Sequence, residues 1–127
     1  MGMAKKKQIS AELKARVKDF LRGYRMYGKM LILDRYEKEF LKGRDTVEHC
    51  APSEAMFARA KMYRVRHFIN QLPNCDEKLF LYYHYVKGVS VERCGEMLDV
   101  SRTSAFRMKE RAICMAAEQF ENFEKEE

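Results

Sequence analysis

A chain of 127 residues has the material for one domain with a modest core, and too little for a multi-step catalytic apparatus. With 35% charged and 46% apolar residues, two prolines and no tryptophan, the composition is that of a folded chain and not a disordered one. The net charge of +6 is lopsided: Met1 to Arg66 holds 17 Lys+Arg against 8 Asp+Glu (+9), and His67 to Glu127 holds 8 against 11 (−3), so a polyanionic partner is favoured.

Residues 1–9, with the Lys5-Lys6-Lys7 run, lack apolar periodicity and read as a flexible basic arm. Residues 10–50 read as an N-terminal helical extension. Ser10 offers the N-cap, and Leu13, Val17, Phe20, Tyr24, Tyr27 and Leu31 follow in heptad-like steps of four and three. Gly23 and Gly28 weaken this helix by about 1 kcal/mol each relative to alanine, and a kink is expected near Gly28. The stripe suits either packing on its own domain or self-association as a homodimer. Gly43 to Pro52 reads as a loop, with Ser53 capping a helix whose apolar positions are Ala58, Met62, Val65, Ile69 and Leu72 and which ends at Pro73-Asn74. Arg59, Lys61, Arg64 and Arg66 lie on its other face. Asp76 to Val86 follows as a second short helix; Leu79 to Val86 within it also permits a buried strand, but no second strand is available to pair with it. Helix is expected, closed by a left-handed turn at Gly88.

The cysteines at 50, 75, 94 and 114 form no CxxC pair and no secretory signal precedes them, so reduced cytosolic thiols are expected. The His49-Cys50 pair has no further ligand at metal spacing, since His67 and His84 lie elsewhere, and neither a metal nor another cofactor is expected. No apolar run approaches the roughly 18 residues of a membrane span. With no phosphate-binding glycine loop and no nucleophile elbow, an enzyme is not expected, and His84 among its aromatic neighbours reads as a packed or half-exposed helix residue.

The most informative stretch begins at Ser90, which caps a helix of Val91 to Leu98. Asp99-Val100-Ser101 makes a turn, and Ser101 caps a last helix from Arg102 to about Phe120. Cys94, Leu98, Val100, Ala105, Met108 and Ala112 fall where two crossed helices touch, and Gly95 sits where their backbones approach. This is the helix-turn-helix pattern. On the outward side, Arg102, Thr103, Ser104, Phe106, Arg107, Lys109 and Arg111 form a basic, hydrogen-bonding surface. Arginine can grip guanine with two hydrogen bonds, and Thr103 can meet a thymine methyl or a phosphate. Amides near Ser101 favour phosphate. Phe106 either presses on a thymine methyl or turns into the core. Double-stranded DNA is the expected partner, with Arg102, Thr103 and Arg107 reading bases and Ser90, Ser101, Lys109 and Arg111 anchoring phosphates.

From Val65 to about Ile113 the sequence resembles region four of bacterial sigma factors. The likeness is carried by Leu72-Pro73, Tyr83-His84-Tyr85, Gly88-Val89-Ser90, Leu98, Val100-Ser101-Arg102, Lys109 and Ala112-Ile113. With its N-terminal helical segment, the chain is similar to phage transcriptional regulators of the ArpU and RinA kind. That resemblance implies an all-α, sigma region four-like bundle, activation of late or lysis genes in a bacterial host cytoplasm, and contact with RNA polymerase as a further reading. Cys94-Gly95 stands where the family has Ile-Ala, Arg93 where it has an acidic residue, and Asp99 where glycine is usual. A small terminase subunit, a phage packaging protein that also joins a helix-turn-helix to an oligomerising helix, is the rival. The expected division is therefore a helix-turn-helix domain over 53–120 and an acidic tail over 121–127.

Overall fold

The computed structural model describes residues 9–40 and 52–126, so the Lys5-Lys6-Lys7 arm, most of the loop before Pro52 and the His49-Cys50 pair lie outside the described residues. Among the described residues every regular element is helical. Helix α1 spans Ala11–Phe40, its first turn closed by Ser10, whose Oγ accepts from the Leu13 amide at 3.1 Å. It runs through Gly23 and Gly28 without a break. The expected interruption at Gly28 is absent, and that glycine lies against the Met62 side chain of the next helix. Helix α2 spans Pro52–Gln71. Pro52 takes the first helical position, where a missing N–H costs nothing, so Ser53 lies inside the helix and does not cap it.

Helix α3, Asp76–Leu81, continues into a wider π-helical turn, Tyr82–Val86. The Lys87 amide closes that turn on the Tyr82 carbonyl at 3.1 Å, and Gly88 at φ +73° ends it in the left-handed region expected of it. Helix α4 spans Val91–Met97 and α5 spans Arg102–Lys125.

Helix α1 packs on α2, α5 and the π turn, and α5 also receives α3 and α4. Leu13, Val17 and Leu21 are buried, and Phe20 and Tyr24 are half-buried against the same core. The stripe expected to serve either the domain or a second copy is thus occupied within the chain, because α1 covers the aromatic end of α2 and α5. There Phe20, Phe68, Phe120 and Phe123 interlock, with ring centroids 5.0 Å apart for Phe20–Phe120 and for Phe68–Phe123. Phe123 explains a third departure from expectation. Helix α5 does not stop near Phe120 but continues to Lys125, because Phe123 closes the cluster one turn on and Glu124 pairs with Arg16 of α1. Most of the expected acidic tail is therefore packed helix. No helix among the described residues is long and apolar enough to cross a membrane.

Candidate nucleic-acid interface

Helix α4 and helix α5 are joined by a turn whose geometry follows from two hydrogen bonds and one unusual residue. The Val100 amide bonds the Gly95 carbonyl at 2.9 Å and the Asp99 amide bonds the Glu96 carbonyl at 3.2 Å, the paired bonds that stop a helix with one left-handed residue. That residue is Asp99 at φ +58°, a region that aspartate tolerates better than most side chains. Ser90 and Ser101 cap the two helices: Ser90 Oγ accepts from the Arg93 amide and Ser101 Oγ accepts from the Ser104 amide, each at 3.2 Å. The backbones meet at Gly95, where an added Cβ would stand 2.7 Å from the Ala105 Cβ. Cys94, Ala105 and Ala112 are fully buried, Met108 nearly so, and Leu98 and Val100 pack against them.

With those residues inward, a helical step of 100° fixes what faces out. Thr103 and Arg107 are exposed on the far side of α5, and Arg107 makes no ion pair with the described residues. Phe106 is 43% exposed, which places it at the surface and not in the core. The remaining positions depart from a uniform outward face. Arg102 reaches Glu92 at 3.6 Å, an exposed contact that contributes at most about 1 kcal/mol. Arg111 is held by Glu77 at 3.3 Å. Partial burial alone would raise the Glu77 carboxyl, but a hydrogen bond to its own backbone and the Arg111 guanidinium hold it below the ordinary carboxylate range. Ser104 is half-buried and accepts a 3.0 Å hydrogen bond from the Ser101 hydroxyl. Lys109, grouped with Arg107 from the sequence, is half-buried on another side of α5. It sits three residues before Ala112 and four after Ala105, and so turns towards α1.

There it joins residues that reading the chain one segment at a time passed over. Arg22, Arg25 and Lys29 of α1 border the same groove as Lys109, His84 and Tyr85. Their spacing of three and four residues, opposite the apolar stripe of α1, is the signal that could have found them. His84 Nδ1 donates to the Val89 carbonyl at 2.7 Å. Burial, together with the positive charges of Lys109, Arg25 and Arg22, lowers its pKa below the ordinary histidine value against the opposing pull of that hydrogen bond. Among the described residues no three His, Cys, Asp or Glu side chains converge as a metal site would require. In comparisons with family models, curated proteins and solved structures, nothing matches the chain.

Proposed function

We propose that the protein is a sequence-specific DNA-binding regulator of transcription whose last helix reads the major groove. The observation that carries this is the placement of Thr103 and Arg107. They lie on the solvent side of α5, within two turns of its capped N-terminus, while the opposite side is locked to α4 at Gly95. A helix presented in this way fits the width of the major groove, and arginine and threonine are base-reading side chains. Arg102 and Phe106 lie beside them, and Arg102 can exchange its weak contact with Glu92 for a phosphate or a base. Ser90, Ser101, Ser104 and Arg111 flank the reading face as phosphate contacts, Arg111 at the expense of its pairing with Glu77. Transcription as the process is supported by the resemblance of Val65 to Ile113 to sigma region four, and a phage or prophage setting by the resemblance of the chain, with its N-terminal helical segment, to phage regulators.

Selection of bound duplexes from a random pool tests the proposal, a reproducible consensus being the expected outcome. On that consensus, Arg107→Ala should cost about 1–3 kcal/mol and relax preference at one base pair, and Lys109→Ala should weaken all sequences alike. Failure to enrich any sequence overturns the proposal, and the reverse pattern in the two variants overturns the roles. One such helix covers few base pairs, so a symmetric consensus would identify two copies of the chain on the DNA, and an asymmetric one would point to a partner such as RNA polymerase.

A further inference from the structure

Between α1 and α5 lies an open groove of about 640 Å³ whose charged lining is of one sign, Arg22, Arg25, Lys29 and Lys109, with His84 and Tyr85 beside them and Met26, Met30 and Leu33 forming its apolar wall. Among the described residues no carboxylate borders it. Arg22 pairs at 3.3 Å with Asp19 in an exposed contact outside the groove, and the other three cations make no ion pair with described residues. A row of cations with no opposing carboxylate among the described residues favours an anionic partner.

We infer that α1 supplies a second DNA contact: the groove takes the phosphodiester backbone flanking the base pairs read by α5. The inference rests on the proposed function and deepens it by naming a part of the interface outside the helix-turn-helix. Three features favour a backbone over a compact anion. The cations are strung out and do not converge: Arg22, Arg25 and Lys29 cover about 10 Å of helix axis, longer than one compact anion and suited to successive phosphates of one strand. The groove is continuous with the reading helix through Lys109, which shares α5 with Arg107 but points towards α1. Arg25 lies beside the turn that leads into α4, its guanidinium carbon 2.6 Å from where a Cβ on Gly88 would stand, so the basic row adjoins that turn.

The test uses the full chain and the selected duplex, with binding measured by fluorescence anisotropy across a salt series. In the variant Arg22→Gln/Arg25→Gln/Lys29→Gln, the slope of log K against log salt should fall by about 0.9 for each lost contact, up to about 2.7, with the base preference unchanged. A control, Arg59→Gln/Lys61→Gln/Arg66→Gln on α2, removes the same net charge away from this groove and should leave most of the slope in place. Thermal unfolding of both variants confirms that each is folded. Addition of the duplex should also raise the His84 pKa, read from its ring proton shifts, because phosphates offset the surrounding cations. An unchanged slope in the α1 variant, or equal losses in the two variants, overturns the inference while leaving reading by α5 intact. Failure of the parent chain to bind any duplex overturns both.

Discussion

The close approach of α4 and α5 makes Gly95→Ala a sharp test of the architecture, because two effects of known sign oppose each other. Alanine in place of glycine inside a helix is favoured by about 1 kcal/mol. Against this, the new Cβ would come within 2.7 Å of the Ala105 Cβ and 3.4 Å of the Val100 carbonyl oxygen. The Ala105 Cβ is fixed to its backbone and cannot rotate away, so the helices must separate, and overpacking of this kind costs about 1–3 kcal/mol. The balance is a destabilisation of up to about 2 kcal/mol, or a fall in Tm of several degrees for a chain of this size. Urea unfolding followed by circular dichroism measures it. The companion Ala105→Gly removes the clashing carbon, so the double variant should recover stability relative to the sum of the two single changes, with a coupling above about 0.5 kcal/mol. If Gly95→Ala were more stable than the parent by about the full 1 kcal/mol, the helix-propensity gain would be unopposed, and the close crossing on which the presentation of Arg107 depends would be refuted.

Two other consequences are as direct. Asp99 at φ +58° should accept glycine with little change, whereas Asp99→Val should lose about 1–2 kcal/mol in urea unfolding, since a β-branched residue is poorly tolerated there. Because the folded-state pKa of His84 lies below its unfolded value, the unfolded chain binds the extra proton first. Stability contributed by this residue is therefore complete above about pH 6.5 and falls as the pH drops towards the lowered folded value; Tm measured from pH 8 to pH 5 should show the decline, and His84→Gln should reduce it.

What the sequence disclosed, and what it did not, follows from the range of the interactions. The caps at Ser10, Ser90 and Ser101, the left-handed Gly88 and Asp99 and the small Gly95 are all legible because each depends on neighbours a few residues away. The errors are long-range. Glu121 to Lys125 reads as a charged tail until Phe123 is seen against Phe68, and Glu124 beside Arg16, which is 108 residues away in the chain. Lys109 looks like a neighbour of Arg107, yet the helical angle between them is large enough that one faces solvent and the other α1. Arg102 and Arg111 look free in sequence, and their partners Glu92 and Glu77 come from α4 and α3. The stripe on α1 was readable as apolar, but its periodicity fits an intramolecular neighbour as well as a second copy, and in the folded chain Leu13, Val17 and Leu21 meet the intramolecular one.

That last point alters what counts as the domain. If α1 were an appended extension, a fragment beginning at Pro52 would retain its fold. The packing argues otherwise: Leu13, Val17 and Leu21 are buried in the same core as Phe68, Ile113 and Phe120, and Phe20 contacts the rings of Phe68, Phe120 and Phe123. Burying each of the three aliphatic side chains stabilises by about 1.5–3 kcal/mol, so their loss alone removes roughly 5–9 kcal/mol before Phe20 is counted. A domain of this size has a total stability of about 5–15 kcal/mol. The fragment 52–127 should therefore lack a cooperative unfolding transition, and adding a synthetic peptide of residues 9–40 in excess should restore one by mass action. A fragment that unfolds cooperatively by itself, with a midpoint close to that of the full chain, would show that α1 is a passenger. The groove it forms with α5 would then have no fixed geometry in which to hold a phosphate backbone.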